Sequence, residues 1–144
     1  MPKPEPASRP QIPISHPLRI LLVEDHPNTR EVLTRLLKRQ GHTVLSAESV
    51  ESALNVADHN QVDIAISDLG LPDGSGLDLM PTLKSRYGLK GIAVSGYGME
   101  GDFERSRQAG FGAHLVKPID FKQLQVALQE VVDEPPPAER ANGG

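Results

Sequence analysis

Residues 20–25 are Ile-Leu-Leu-Val-Glu-Asp, an apolar run of strand length that ends in two acids. Four more apolar runs follow along the chain, at residues 43–45, 64–66, 92–94 and 113–116. Segments with the 3.6-residue period of amphipathic helices separate these runs. Four of the five runs have the continuous apolar composition of strands that are buried on both faces. Because such strands alternate with helices, the sequence predicts a doubly wound α/β domain with a five-stranded parallel sheet between helical layers.

Three of the predicted helices carry clear apolar stripes. The stripes are Val32, Leu33, Leu36 and Leu37 in the first helix, Val50, Ala53, Leu54 and Ala57 in the second, and Phe121, Leu124, Leu128 and Val131 in the last. Pro27 suits the first turn of the first helix, and Gly41 can end that helix. The segment 100–109 is weaker, because Gly101 disfavours its start and only Phe103 and Ala109 offer apolar anchors. We expect this fourth helix to be the most mobile one.

Both ends of the chain are rich in proline or in polar residues. Residues 1–17 contain repeated prolines, which remove amide donors and prevent helices and sheet ladders from forming. Residues 133–144 have the same character. The sequence therefore predicts disordered tails or linkers at residues 1–17 and 133–144, on either side of one folded domain at residues 18–132.

The composition of the 144 residues excludes several classes of function. The chain has no cysteine, which excludes disulfides, thiolate metal sites and a thiol nucleophile. A formal net charge of −4 without a dense basic stripe argues against direct binding of nucleic acid. No apolar run approaches the roughly 18 residues of a membrane span. We therefore expect a soluble, cytoplasmic protein that contacts neither membranes nor nucleic acid directly.

Polar side chains follow four of the five predicted strands, just past the point where each strand ends: Glu24, Asp25, Asp68, Ser95 and Lys117. The carboxyl ends of parallel strands meet at one edge of a sheet, so we expect these side chains to converge there. Three carboxylates at one edge repel one another unless a cation lies among them, and their hard oxygen ligands favour Mg²⁺. The alternative is that each acid caps the helix that follows it.

The motifs around these residues resemble those of a known family. Residues 22–26 (LVEDH), 68–76 (DLGLPDGSG), 94–97 (VSGY) and 116–118 (VKP) are similar, in order and spacing, to the signatures of response-regulator receiver domains of two-component and phosphorelay systems. The resemblance covers essentially the whole predicted folded region. It implies a flavodoxin-like (βα)5 fold with strand order 2-1-3-4-5.

The resemblance also implies roles for the residues at the strand ends. Asp68 is expected to act as a carboxylate nucleophile that accepts a phosphoryl group from a histidine kinase or a histidine phosphotransfer protein. Asp68 would also hold Mg²⁺ or Mn²⁺ together with Glu24, Asp25 and the backbone carbonyl of Gly70. Lys117 would neutralise charge on the phosphoryl group. This chemistry is confined to self-phosphorylation and self-dephosphorylation of Asp68, so the chain is not expected to be an enzyme.

A conformational switch is a further implication of the resemblance. Ser95 stands where the family places a hydroxyl that is drawn toward the phosphoryl group, which would couple the chemistry to the fourth helix and the fifth strand. Many relatives have a mobile aromatic residue in the fifth strand, and this chain has His114 there, either as an imidazole that rotates inward or as a static edge residue. The Lys117–Pro118 peptide is expected to be cis. Because Gly70 and Gly96 leave the acceptor bare of side chains, we expect a short-lived phosphorylated state.

Two other classes of function stay open. A pseudo-receiver would keep the fold and only bind partners, although the complete set of site residues argues against it. A metal-dependent phosphohydrolase with an aspartyl-phosphate intermediate would use the same nucleophile. Against the phosphohydrolase, Gly70 stands where the haloacid-dehalogenase type has a second aspartate, and the chain has no room for a cap domain.

Two further patterns are not expected to form sites. Residues 96–101 match G-x-G-x-x-G, but they lie too late in the chain to open a dinucleotide-binding half-domain. The histidines do not have the spacing of zinc ligands; they are His16, His26, His42, His59 and His114. The sequence leaves open the cognate kinase, the downstream target, the oligomeric state, and whether the chain is a stand-alone regulator or the receiver of a hybrid histidine kinase.

Overall fold

A five-stranded parallel sheet forms the centre of the protein in the computed structural model, which describes residues 17–96 and 103–133. Its strands are β1 (Arg19–Val23), β2 (Thr43–Ala47), β3 (Ile64–Asp68), β4 (Lys90–Ser95) and β5 (Ala113–Val116). The strands are ordered β2-β1-β3-β4-β5, and every neighbouring pair is parallel. The predicted strand positions and the flavodoxin-like strand order are therefore confirmed.

Helices cover both faces of this sheet. In the described part of the chain they are α1 (Pro27–Arg39), α2 (Val50–His59), α3 (Gly76–Tyr87), α4 (Phe103–Ala109) and α5 (Phe121–Asp133). Alternate strand side chains point to opposite faces and divide the core into two layers. Ile20 and Ile64 pack with α1 and α5 on one face, and Leu21 and Ala65 pack with α2 and α3 on the other. None of the helices among the described residues is long and apolar enough to cross a membrane.

Burial differs between the central and the edge strands. The central strands β1, β3 and β4 are buried along nearly their whole length, whereas β2 and β5 are only partly buried. The sequence predicted four strands buried on both faces, and the structure has three, so the prediction is wrong for one strand. An edge strand has a neighbouring strand on one side only, so solvent reaches side chains that a central strand would keep covered.

Helix α1 ends as the sequence predicts, but its apolar stripe is not all buried. Gly41 has a φ of 99°, and the N–H groups of Gly41 and His42 donate to the carbonyls of Lys38 and Leu37, which is a Schellman motif. Leu37 is fully buried, whereas Val32, which the sequence places in the same apolar stripe, is 55% exposed. Positions 33 and 37 define the covered line of the helix, and position 32 is turned about 100° away from position 33.

The short helix α4 is anchored differently from the prediction. Phe103 is 48% exposed, and the buried residue of this helix is Ser106. The expectation that Phe103 anchors α4 in the core is therefore wrong, because its ring lies against an edge strand and is only half covered. Residues 100–102, which the sequence also assigned to this helix, lie outside the described residues. The predicted mobility of α4 stays a prediction.

His42 is a buried histidine that joins the start of the domain to the end of α1. Its Nδ1 accepts a hydrogen bond of 3.0 Å from the N–H of Leu18. Burial lowers the pKa of His42 below its ordinary value of 6.5, because the charged ring would lose its hydration. A protonated ring would also lose this bond, since its Nδ1 would carry a hydrogen and could no longer accept.

We expect acid to weaken the fold through His42. The stabilising contribution of the neutral ring is complete above pH 6.5 and is lost as the pH falls from 6.5 through the lowered pKa of the folded state, because the unfolded chain binds the proton more readily. The measurement is urea unfolding between about pH 5 and about pH 8. A His42→Asn variant keeps an acceptor for Leu18 but does not titrate, so its free energy of unfolding should fall less steeply in acid. Equal slopes for the two proteins would contradict this role of His42.

Candidate functional site

The carboxyl edge of the sheet brings together residues that are far apart in the sequence. Lys117, just after β5, places its Nζ 2.7 Å from Oδ2 of Asp68 at the end of β3. The same Nζ lies 3.2 Å from Oε1 of Glu24, which follows β1. The peptide bond between Lys117 and Pro118 is cis. The predicted convergence of acids and a lysine at this edge is thus present in the geometry.

The two acids that contact Lys117 are buried. Glu24 is 2% exposed and Asp68 is 7% exposed. Burial by itself lowers the pKa of Lys117, but the hydrogen bond and charge of Asp68, together with the charge of Glu24, outweigh that effect and raise it above its ordinary value. Lys117 is therefore held as a cation between the two carboxylates.

A second group of potential ligands lies beside this ion pair. Asp25 is half-buried, and His26 is exposed with its Nδ1 3.5 Å from Oε2 of Glu24 and 3.5 Å from Oδ1 of Asp25. Ligand atoms of Glu24, Asp25 and His26 all lie within 4.8 Å of one another. Asp68 lies outside this group, and its Oδ2 is instead the partner of Lys117. The sequence analysis did not identify His26 as part of the site, although its position next to the acid pair was a signal.

The chemistry of this edge fits a divalent cation. Glu24, Asp25 and Asp68 supply three carboxylates, and the ammonium group of Lys117 pairs with two of them, those of Glu24 and Asp68. Negative charge is therefore in excess at a partly buried site, and its hard oxygen ligands suit Mg²⁺ or Mn²⁺. Gly70 is exposed and donates its N–H to Oδ1 of Asp68 over 3.3 Å.

The loop after β3 is held to the start of α2 by the side chain of Asp73. Oδ1 of Asp73 accepts from the N–H of Val50 at 2.8 Å, and Oδ2 accepts from the N–H of Glu51 at 3.0 Å. The hydrogen bonds from these two backbone N–H groups lower the pKa of Asp73 below its ordinary value, and the bond from Val50 has the larger effect. A carboxylate at the first turn of α2 is favourable because free N–H groups point toward it.

The backbone of Asp68 itself is packed against the first residue of α3. A Cβ on Gly76 would lie 2.5 Å from the Asp68 carbonyl oxygen and 3.1 Å from Oγ of Ser67. The Ser67 hydroxyl donates to the same Asp68 carbonyl at 3.0 Å. Only a residue without a side chain allows this close approach, so Gly76 helps to fix the position of Asp68.

On the other side of the site, Ser95 is bonded to the fifth strand. Ser95 is 0% exposed, and its Oγ lies 2.8 Å from Nε2 of His114. The other ring nitrogen of His114, Nδ1, lies 2.8 Å from Oγ of Ser106 in α4. The rings of Phe103 and His114 are in contact, with their centroids 4.4 Å apart and their planes at 70° to each other. His114 therefore joins Ser95 to α4, a link through Ser106 that the sequence analysis did not identify.

A family model of the response regulator receiver domain matches residues 20–129. The chain belongs to this family. Receiver domains are signalling modules of two-component systems.

The relatives of this receiver domain differ in length, so the aligned region is most of some relatives and a small part of others. It is 32% identical over 127 residues to the transcriptional regulatory protein GlrR of Escherichia coli strain K12. The aligned region covers 87% of this chain but only 29% of GlrR. It is 33% identical over 108 residues to the polar-differentiation response regulator DivK of Brucella ovis, covering 73% of this chain and 88% of DivK. The response regulator TrrA of Thermotoga maritima, solved in complex with Mg²⁺-BeF, is 29% identical with a TM-score of 0.70, covering 79% of this chain and 98% of TrrA.

Adding a methyl group at Gly76 should disturb both the fold and Asp68. Because the new Cβ would meet a backbone oxygen that cannot move aside cheaply, we expect Gly76→Ala to lower the free energy of unfolding by about 1–3 kcal/mol. The matched control is Gly70→Ala, whose Cβ would meet nothing within 4 Å. Urea unfolding of the three proteins measures the difference, and equal losses for both variants would contradict this role of Gly76.

Proposed function

We propose that this receiver domain accepts a phosphoryl group on Asp68 from a phosphohistidine donor. The observation that carries the proposal is the contact of one lysine with two buried carboxylates, Lys117 with Asp68 and Glu24, at the carboxyl edge of the sheet. In the transfer, an Asp68 carboxylate oxygen forms a bond to phosphorus while the P–N bond of the donor breaks. The imidazole of the donor leaves with the electron pair of that bond and takes up a proton, and Asp68 becomes an acyl phosphate.

The residues around Asp68 support this role in two ways. The Lys117 ammonium lies 2.7 Å from Oδ2 of Asp68, so it can pair with an added phosphoryl group without a large movement. The hydroxyl of Ser95 lies at the end of the neighbouring strand β4 and can donate to a phosphoryl oxygen when it leaves His114. Such a movement of Ser95 would alter the contacts of α4 and β5, which we propose as the face that signals to a downstream protein.

A divalent cation belongs to the same proposal. Glu24, Asp25, Asp68 and the backbone carbonyl of Gly70 would hold Mg²⁺ or Mn²⁺, consistent with the excess of carboxylates at this edge. When bound, the ion neutralises charge that builds up on the transferring phosphoryl group. The presence of Mg²⁺-BeF in the structure of the similar receiver TrrA supports this assignment.

Intact mass after incubation with acetyl phosphate and Mg²⁺ tests the proposal. We expect wild-type protein to gain one phosphoryl group and Asp68→Asn to gain none, because the amide is not a nucleophile for phosphorus. The Asp25→Asn variant should keep the acceptor but require more Mg²⁺ for the same yield, since it loses one carboxylate ligand. The measurement is mass spectrometry after rapid quenching, across a series of Mg²⁺ concentrations.

Two controls make the outcome of this experiment clear. Chelation of divalent ions should abolish labelling of the wild type, and Asp58→Asn, an exposed acid of α2 away from the site, should be labelled normally. Failure to label the wild type under rapid quenching, together with no Mg²⁺ binding by calorimetry, would favour a pseudo-receiver that only binds partners.

A groove beside the site is where we propose that the protein donor docks. It has a volume of about 590 Å³ and is lined mainly by apolar residues of α1 and of the segment after β5, among them Val32, Leu36, Ile119 and Phe121. Lys117 lines the same groove and also contacts Asp68. A donor that delivers phosphorus to Asp68 must cover this neighbourhood, and covering the exposed Val32 would add favourable apolar burial.

The groove can be tested separately from the chemistry. We expect Val32→Glu to slow phosphorylation by a histidine phosphotransfer protein that labels the wild type, by about tenfold or more, because docking would bury an unpaired charge. Labelling by acetyl phosphate should stay unchanged, since this small donor needs no docking surface. The control is Val126→Glu, another exposed valine that lies in α5 outside the groove. Equal rates for wild type and Val32→Glu with the protein donor would contradict docking here.

A further inference from the structure

Three hydrogen bonds connect Ser95, at the carboxyl end of β4, to the backbone of α4. Oγ of Ser95 lies 2.8 Å from Nε2 of His114, and Nδ1 of His114 lies 2.8 Å from Oγ of Ser106. The Ser106 hydroxyl donates to the carbonyl of Phe103 at 2.9 Å. Ser95 and Ser106 are both buried, so neither can exchange its partner for water without a movement.

The direction of each bond follows from where the hydrogens can be. The Phe103 carbonyl can only accept a hydrogen bond, so the Ser106 hydroxyl donates its single hydrogen to that carbonyl. In the contact with His114, Ser106 therefore accepts a hydrogen bond from Nδ1–H. A neutral imidazole carries one hydrogen, so Nε2 of the neutral ring is then an acceptor. Ser95 must therefore donate its hydroxyl hydrogen to His114.

This direction sets up a competition for the Ser95 hydrogen. Phosphoryl oxygens are acceptors, and a serine hydroxyl has a single hydrogen to give. Ser95 therefore cannot donate to neutral His114 and to a phosphoryl group on Asp68 at the same time. A protonated ring changes this, because Nε2–H then donates to Ser95 and leaves the Ser95 hydrogen free. The bond to Ser106 stays the same in both states, since Nδ1 carries a hydrogen in each.

We propose that His114 is a positioning residue that holds the Ser95 hydrogen when the ring is neutral and releases it when the ring is protonated, so that proton uptake by His114 and phosphorylation of Asp68 favour each other. The inference rests on the proposed function of Asp68. Because the coupling is a binding equilibrium it is reciprocal, so occupancy at Asp68 raises the pH at which His114 gains its proton. Ser106 is necessary for this role because it accepts a hydrogen bond from Nδ1–H. The hydrogen of the neutral ring therefore stays on Nδ1, and Nε2 is the nitrogen that gains a proton.

Groups from α4 and from the neighbouring strand β4 lie close to the His114 ring. Among the described residues, the charged side chains of α4 that line a cavity with His114 are Glu104 and Arg107, and they pair with each other. From β4 the ring meets Ser95, while the charged residue of that strand, Lys90, lies at its other end and donates to the carbonyl of Val132.

The resting tautomer is the first test, and it does not depend on phosphorylation. Long-range ¹H–¹⁵N correlation spectra of the full chain, labelled in its histidines, distinguish the Nδ1–H from the Nε2–H form. We expect neutral His114 to be the Nδ1–H tautomer in the wild type and to lose this preference in Ser106→Ala. A wild-type ring in the Nε2–H form would overturn the inference.

The coupling itself is tested with beryllium fluoride and Mg²⁺ as the phosphoryl analogue. We expect wild type to bind the analogue about tenfold more tightly below the titration of His114 than above it, since the gain is about one hydrogen bond to a charged group. His114→Phe keeps a ring at this position but cannot titrate, and Ser95→Ala has no hydrogen to release, so both should lack this part of the pH dependence. Ser95→Thr should restore it.

A matched control distinguishes the effect of His114 from that of other titrating groups. His26 lies beside the predicted metal ligands, so His26→Gln should keep the pH effect that His114→Phe removes. If the analogue binds wild type equally at both pH values and leaves the His114 titration unmoved, the coupling is overturned while Asp68 remains the acceptor. If the analogue does not bind at either pH and acetyl phosphate does not label Asp68, the proposed function itself fails.

Discussion

The ion pair that Lys117 makes with Asp68 and Glu24 is the interaction on which the rest of the site depends. It joins the ends of β1, β3 and β5, with Lys117 and Glu24 93 residues apart in the sequence. Two buried carboxylates without a cation would repel each other and lose hydration, so the lysine makes their joint burial tolerable. The parallel sheet makes the contact possible, because it brings the carboxyl ends of all its strands to one edge.

The two sides of Asp68 are built differently, and the difference suits a signalling site. On the β3 side, the close approach of Gly76 and the Asp73 carboxylate fix the backbone against α3 and α2. On the β4 side, Ser95 is joined to α4 through His114 by a chain of single hydrogen bonds. If Asp68 is phosphorylated as proposed, a firmly held Asp68 beside a serine whose hydrogen bonds can be exchanged would allow a local chemical event to alter a distant surface.

Much of the fold and of the site could be predicted from the sequence. The strands, their order and the convergence of acids with Lys117 follow from apolar runs, strand ends and family motifs. The exposure of Val32 and Phe103 could not be predicted, because an apolar residue in a helix is buried only where another element covers it. Val32 faces a groove and Phe103 lies against an edge strand, and neither position is visible in the periodicity of a single helix.

The sequence by itself determined which chemical groups this protein has at the ends of its strands, since strand length, period and polarity are local properties of the chain. Only the tertiary structure decided which distant side chains meet: Lys117 with Asp68, and His114 between Ser95 and Ser106. The physical reason is the short range of these interactions. Hydrogen bonds and ion pairs form within about 3–4 Å, and which side chains come that close depends on how separate helices and strands pack.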